Sequence, residues 1–130
     1  MKKLTTIAAL AALTLVLMSA GKKDNVMTKE NGAYVVNTTT LCKDVMGYEG
    51  PTPVKIYIRK NKVEKIEALP NQETPKHWNA TKKAMLDKWN GLKVKEAREL
   101  KVDGRTGATF SSNALRDNVQ RGLEYYEKNK

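Results

Sequence analysis

The sequence predicts an α+β domain, in which a small twisted antiparallel sheet packs against flanking helices. Residues 54–58 alternate apolar and polar side chains, the period of a half-buried strand, and residues 63–69 are predicted to return beside them. Residues 76–90 and 115–126 change to the spacing of helices. Strands therefore come first and helices later, and this order favours an antiparallel sheet.

Each part of the predicted sheet has local support. Residues 33–39 are rich in β-branched and aromatic side chains, whereas the glycines and proline of residues 41–52 predict a loop. Lys60-Asn61 predicts a tight turn because asparagine tolerates a positive φ. Val63 and Ile66 have opposite parity along their strand, which predicts a bulge between them.

The first helix is predicted by one apolar face, which we interpret as core. The face consists of residues spaced three or four apart, Trp78, Thr81, Met85 and Trp89. Residues 70–75 before it are expected to form a loop, and Gly91 is expected to end it. Residues 92–102 have a mixed pattern, with a short strand expected near their end.

The last helix is predicted by a second apolar stripe. Its members are Leu115, Val119, Gly122, Leu123 and Tyr126. Ser111 or Ser112 is expected to cap this helix, because a hydroxyl at that position accepts hydrogen bonds from the first N–H groups.

Residues 1–21 have the three regions of a secretory signal peptide, namely a basic start, an apolar run and small residues at a cleavage site. We expect residues 22–32 to form a linker and residues 33–130 to form the domain. A buried helix or a retained membrane anchor is the alternative for the apolar run, although the run is short for a membrane span.

Residues 17–21 also resemble the lipoprotein processing site of bacteria. Gly21 stands where that site requires a lipid-carrying cysteine. Either the protein is released in soluble form, or its natural parent differs at this position. In both cases we expect an exported protein, in the periplasm or at the outer face of the cell membrane.

The chain is basic, with a formal net charge of +10 at pH 7. A basic surface attracts phosphates, nucleic acids, anionic lipids and acidic proteins. The lysines are scattered among acids, however, so we expect no nucleic-acid partner. Cys42 and His77 are the only cysteine and the only histidine, so no internal disulfide can form and we expect no metal site.

Residues 103–115, DGRTGATFSSNAL, concentrate small and hydroxylated side chains just before the last helix. Helix N-termini attract anions, so this segment suits a phosphate group. The alternative is an ordinary helix entry, with serine caps and small residues for close packing, and such N-terminal signals are common. The glycine spacing fits neither a P-loop nor a dinucleotide-binding fingerprint.

Within this segment, residues 103–109 resemble the Asp-x-x-Ser/Thr-Gly-Ala-Thr motif of the FMN-binding domain family. That family includes the C subunit of the sodium-translocating NADH:quinone reductase, the G subunit of the Rnf complex and small exported flavoproteins. Four other segments are similar to the family in the same order: residues 31–34, residues 47–51, the hairpin of residues 54–66 and residues 71–75. The resemblance covers nearly all of residues 26–126.

The resemblance implies FMN as the cofactor and a phosphoester as its attachment. In that family a flavin transferase moves FMN from FAD onto the last threonine of the motif, which corresponds to Thr109. Asp103 would then be part of what the transferase recognises. The turn before the acceptor would be shaped by Thr106, Gly107 and Ala108.

The resemblance also places four other residues near the cofactor. Glu73 and Thr74 would border the flavin, and Ser111 would lie near the phosphate. Tyr48 would stack on the isoalloxazine ring, since a flat aromatic face suits such a contact. As alternatives, Tyr48 is a loop anchor and Ser111 is a helix cap.

We therefore expect an exported flavoprotein that carries electrons, with no substrate of its own. Its expected partners are the flavin transferase and a redox partner at the membrane, and the protein itself is expected to be a monomer. A threonine hydroxyl needs activation, and His77 is distant in sequence, so the transferase is expected to supply the base. The alternatives are a non-redox binding module that uses its basic surface and a small flavin-dependent reductase.

Overall fold

The structure is a computed structural model that describes residues 26–104 and 107–130. The expected signal peptide and the first four residues of the expected linker, 22–25, lie outside the described residues, as do Arg105 and Thr106. None of the helices within the described residues combines the length and the apolar character that crossing a membrane requires.

Along the described residues, a four-stranded antiparallel sheet precedes the helices. Its strands are neighbours in the sheet in the same order as in the sequence. The strands are β1 (Met27–Glu30), β2 (Ala33–Asn37), β3 (Val54–Arg59) and β4 (Lys62–Ala68). Three α-helices follow, α1 (Pro75–Met85), α2 (Val94–Glu99) and α3 (Thr109–Asn129), and a 3₁₀ helix at Leu86–Trp89 extends α1. The predicted α+β class is confirmed.

Two tight turns set the register of the hairpins. Asn31 and Gly32 connect β1 to β2 with φ of 50° and 85°. Lys60 and Asn61 connect β3 to β4 with φ of 52° and 63°, as the sequence predicted. Two successive residues with positive φ give the turn whose twist matches that of antiparallel strands.

The predicted bulge is present in β4. Tyr57 pairs with Lys65 and Ile58 pairs with Val63, which leaves Glu64 as the extra residue. The bulge lets Val63 and Ile66 both face the core despite their opposite parity.

The core lies between one face of the sheet and the helices. Both predicted helical stripes are buried in it, including the fully buried Trp89. Gly122 of α3 allows the closest approach, because a Cβ there would lie 2.5 Å from Cδ1 of Ile56. The long helix α3 is thus held closely on the sheet.

Three local expectations differ from the structure. The segment expected as a linker contains β1, an edge strand that pairs with β2 through its backbone. Its mostly polar side chains do not show the pattern of a strand. The strand expected before residue 102 is wrong, since residues 94–99 form α2, whose start is fixed by a bond from the Lys93 N–H to the Glu96 carboxylate (3.1 Å). The prediction that a serine caps α3 is also wrong, because the helix begins at Thr109, and Ser111 and Ser112 lie within its first turn.

Candidate functional site

The first turn of α3 borders a cavity of about 440 Å³. The loop after β2, the start of α1 and the start of α3 form its walls. Its lining residues are Tyr48, Glu73, Thr74, His77, Gly107, Ala108, Thr109, Phe110 and Ser111. This volume falls within the roughly 300–1,000 Å³ typical of small-molecule and cofactor pockets.

A tight turn presents Tyr48 to the cavity. Met46 pairs with Pro51, and the Gly47 N–H donates to the Gly50 carbonyl at 2.7 Å, which closes the turn. Tyr48 lies at its tip with 72% of its surface exposed. An aromatic ring so poorly covered by its own protein is available for contact with a ligand.

The carboxylate of Glu73 joins this turn to α3. Oε1 accepts hydrogen bonds from the Tyr48 N–H (3.1 Å) and from the Ser111 hydroxyl. Oε2 accepts one from the Glu49 N–H (2.5 Å). Ser111 therefore does not cap its helix but binds a residue from the opposite wall of the cavity, and Glu73 itself is buried.

Phe110 lies across the mouth of the cavity from Tyr48. Its exposed fraction is 64%, and the centroids of the two rings are 6.3 Å apart with planes inclined by 37°. Of the four exposed large hydrophobic side chains in the described chain, these two line the cavity, and Met46 and Leu100 do not.

The start of α3 presents an electropositive helix end to the cavity. Ala108 is the N-cap residue and, among the described residues, no side chain caps the helix there. Gly107 precedes it with φ of 83°, a conformation that glycine adopts without steric cost. The N–H groups of the first turn and the helix dipole both favour an anion at this point.

The segment before this turn is fixed along α3. The Arg116 guanidinium donates to the Val102 carbonyl at 2.9 Å. A Cβ on Gly104 would lie 2.5 Å from Cβ of Ser112, so the chain passes too close to the helix for any larger residue. Residues 102–104 are therefore held against the side of α3.

The structure gathers most of the predicted site residues around one cavity. Those that line it are Tyr48, Glu73, Thr74, Gly107, Ala108, Thr109 and Ser111. Asp103 is exposed and does not line the cavity, and Thr106 lies outside the described residues. The individual roles assigned to these residues stay predictions.

Two lining residues were missed from the sequence. His77 is far from Thr109 along the chain, but the first turn of α1 brings it to the same cavity. Phe110 follows the predicted acceptor directly, and its position outside the apolar stripe of α3 was the available indication that it faces solvent.

The match to a protein family identifies the cofactor of the chain. The family model for the FMN-binding domain matches residues 47–124, which is more than half of the chain. The chain belongs to the FMN-binding domain family. FMN is therefore its cofactor, and the matched region of this FMN-binding domain contains every described residue that lines the cavity. Comparison with curated proteins and with solved structures gave no match.

Other chemistry receives little support from the described residues. Among them, no three histidine, cysteine or acidic side chains are grouped closely enough to hold a metal ion. Cys42 is buried away from the cavity lining, and burial raises the pKa of its thiol to about 11. A thiol that stays protonated is a poor nucleophile and a poor ligand, so Cys42 is a core residue of this domain.

Proposed function

We propose that this FMN-binding domain is an exported electron carrier whose FMN is attached to Thr109 by a phosphoester. The observation that carries the proposal is the position of Thr109. It is exposed on the first residue of α3 and lines a cavity together with two exposed aromatic rings. A phosphate on its oxygen would lie at the electropositive end of a 21-residue helix.

The residues around Thr109 suit both parts of FMN. The helix end and the turn at Gly107 would hold the phosphate, since backbone N–H groups are good donors to phosphate oxygens. Tyr48 and Phe110 would contact the isoalloxazine ring. A planar ring between two aromatic faces needs about 7 Å, twice the optimal distance between carbon atoms. The two centroids are 6.3 Å apart, so these exposed side chains would move slightly apart to admit the flavin between them.

Attachment would be carried out by an external flavin transferase with FAD as the donor. The Thr109 oxygen forms a bond to the FMN phosphorus, the pyrophosphate bond of FAD breaks, AMP leaves and the hydroxyl proton is released. Within the described residues, no hydrogen bond links the His77 and Thr109 side chains. We therefore assign the activating base to the transferase, and His77→Asn should leave attachment intact.

The tether would serve an exported protein. Free FMN is scarce outside the cytoplasm, and a dissociated cofactor would be lost. A covalent link makes the local concentration of the flavin independent of the bulk supply. The basic start, apolar run and small residues of residues 1–21 support export.

Bound FMN supplies the capacity to accept and release one or two electrons. The chain would bind the phosphate, orient the ring and keep it near the surface between two exposed side chains. Such exposure suits exchange with a redox partner that docks at the cavity mouth. We place that partner at the membrane, because the protein is proposed to reside at its outer face or in the periplasm.

Intact mass after co-expression with a flavin transferase tests the attachment. Wild-type protein should gain the mass of FMN less one water and become yellow. Thr109→Ala should gain nothing, whereas Ser112→Ala, which removes a neighbouring buried hydroxyl of the same helix, should be fully modified. Loss of the added mass in both variants, or in neither, would contradict attachment at Thr109.

Redox titration of the loaded protein then tests the carrier role. The bound flavin should be reduced by dithionite and reoxidised by a soluble quinone reversibly. Each full reduction should consume one two-electron equivalent of dithionite per flavin. Sustained turnover of a soluble substrate would favour a flavin-dependent reductase instead. A chain that gains no FMN but binds a peptide or polyanion would favour the non-redox binding module.

A further inference from the structure

Glu73 lies where three parts of the structure meet. Its own N–H donates to the Asn71 side-chain oxygen at 2.9 Å, in the loop that leads into α1. Its carboxylate reaches the tip of the turn that carries Tyr48 and the hydroxyl of Ser111 in α3. One buried side chain therefore connects both walls of the cavity with the entry to α1.

Both carboxylate oxygens of Glu73 accept hydrogen bonds from groups of the protein itself. Oε1 accepts from the Tyr48 N–H and the Ser111 hydroxyl, and Oε2 accepts from the Glu49 N–H. Hydrogen bonds to an ionised carboxylate are about twice as strong as those between neutral groups. Glu73 thus acts as a clamp on neighbouring residues, although it also lines the cavity.

The surrounding backbone is shaped to admit this clamp. A Cβ on Gly47 would lie 2.9 Å from Oε1 of Glu73 and 3.0 Å from Cγ2 of Thr52. Glycine at this position lets the turn close around the carboxylate. Because the Tyr48 ring is 72% exposed, packing does little to fix its direction. The hydrogen bonds within the turn close it, and those from the Tyr48 and Glu49 N–H groups to Glu73 fix it relative to α3.

We infer that Glu73 is a positioning residue, which sets the Tyr48 ring against the FMN ring by fixing its turn to the first turn of α3. This inference rests on the proposed function, since it requires FMN to be anchored at Thr109. It assigns Glu73 an indirect role: the side chain acts on the flavin through Tyr48, and the same contact ties the ring to the helix that carries the attachment point.

Flavin fluorescence of the loaded protein tests the indirect role. A tyrosine stacked on the flavin quenches its emission, so Tyr48→Leu should raise the fluorescence per bound flavin. Glu73→Gln should raise it as well, because the amide replaces one acceptor oxygen by a donor that faces N–H groups. The double variant should be no brighter than Tyr48→Leu alone, since Glu73 acts through that ring.

Glu67→Gln is the matched control. Glu67 accepts a hydrogen bond from the Tyr57 hydroxyl at 3.0 Å and lies on the sheet, away from the cavity. Its replacement should leave flavin fluorescence unchanged. Ser111→Ala, which removes one donor and keeps the carboxylate, should give an increase smaller than that of Glu73→Gln and serves as the test if Glu73→Gln fails to fold.

Amide hydrogen exchange of the flavin-free protein tests the clamp without the cofactor. In Glu73→Gln at least one of the Tyr48 and Glu49 amides should exchange at least about tenfold faster, because glutamine keeps only one of the two acceptor oxygens. Unchanged exchange would overturn the inference. So would wild-type fluorescence in loaded Glu73→Gln, or a double variant brighter than Tyr48→Leu alone. Absence of FMN from the wild-type protein would instead overturn the proposed function, together with this inference.

Discussion

The two parts of α3 have opposite surroundings. Leu115, Val119 and Leu123 are completely buried against the sheet, whereas Thr109 and Phe110 in the first turn are exposed beside a cavity. Burial of apolar surface is the main source of folding free energy, so the packed part of the helix stabilises the domain. The exposed side chains of Thr109 and Phe110 add little to stability and are available to the cofactor. One helix therefore carries both roles at separate positions.

Truncation in the packed part should have the largest effect on stability. Leu123→Ala should lower the free energy of unfolding by about 2–5 kcal/mol, because it removes buried methyl groups and leaves a cavity. Urea denaturation of the flavin-free protein measures this change. A loss below about 0.5 kcal/mol, the size expected at an exposed position, would contradict the assignment of this region as core.

Overpacking at Gly122 should have the next largest effect. Gly122→Val should cost about 1–3 kcal/mol, because the added side chain meets Ile56 and Thr38, whose nearest atoms lie 2.5 Å and 3.2 Å from an added Cβ. Asp117→Val on the exposed side of the same helix is the control and should be much less harmful. Equal losses in both variants would show that the close approach at Gly122 does not determine the result.

Cys42 gives a smaller and pH-dependent effect. Burial raises its pKa to about 11, so the folded protein holds this proton more firmly than the unfolded chain does. Its contribution to stability is fully present below about pH 8.5 and is lost as the pH rises towards 11. The decline in the free energy of unfolding over this range should be reduced in Cys42→Ala. A decline of the same size in both proteins would contradict it.

The first turn should show the smallest effect on stability. Thr109→Ala and Phe110→Ala should each change the free energy of unfolding of the flavin-free protein by no more than about 0.5 kcal/mol, as expected for exposed side chains. Thr109→Ala should nevertheless abolish FMN attachment. A large destabilisation by either variant would show that the first turn belongs to the folding core and would remove the contrast between the two parts of α3.

The sequence predicted the regular parts of the fold because their patterns are local. Alternation along β3, the Lys60-Asn61 turn and the parity change in β4 each depend on a few neighbouring residues. The edge strand β1 was missed because it is stabilised by backbone pairing and has mostly exposed side chains. The helix α2 was missed because it is only six residues long and buries just Val94 and Ala97.

The candidate site was predictable only where a motif carries it. Gly107, Ala108 and Thr109 are consecutive, so their motif is visible in the sequence. The position of His77 depends on how α1 and α3 pack, which no local pattern specifies. The bond between Ser111 and Glu73 likewise joins residues 38 apart in sequence, so the serine was expected to cap its own helix instead.

Peptide mapping of the loaded protein tests the attachment of FMN at the first turn of α3 most directly. Trypsin should release residues 106–116 between Arg105 and Arg116, a fragment with four hydroxyl side chains: Thr106, Thr109, Ser111 and Ser112. Fragmentation by tandem mass spectrometry should place the whole flavin phosphate mass on Thr109 and none on the other three. Flavin on any other residue, or an unmodified fragment from yellow protein, would contradict the proposed anchor.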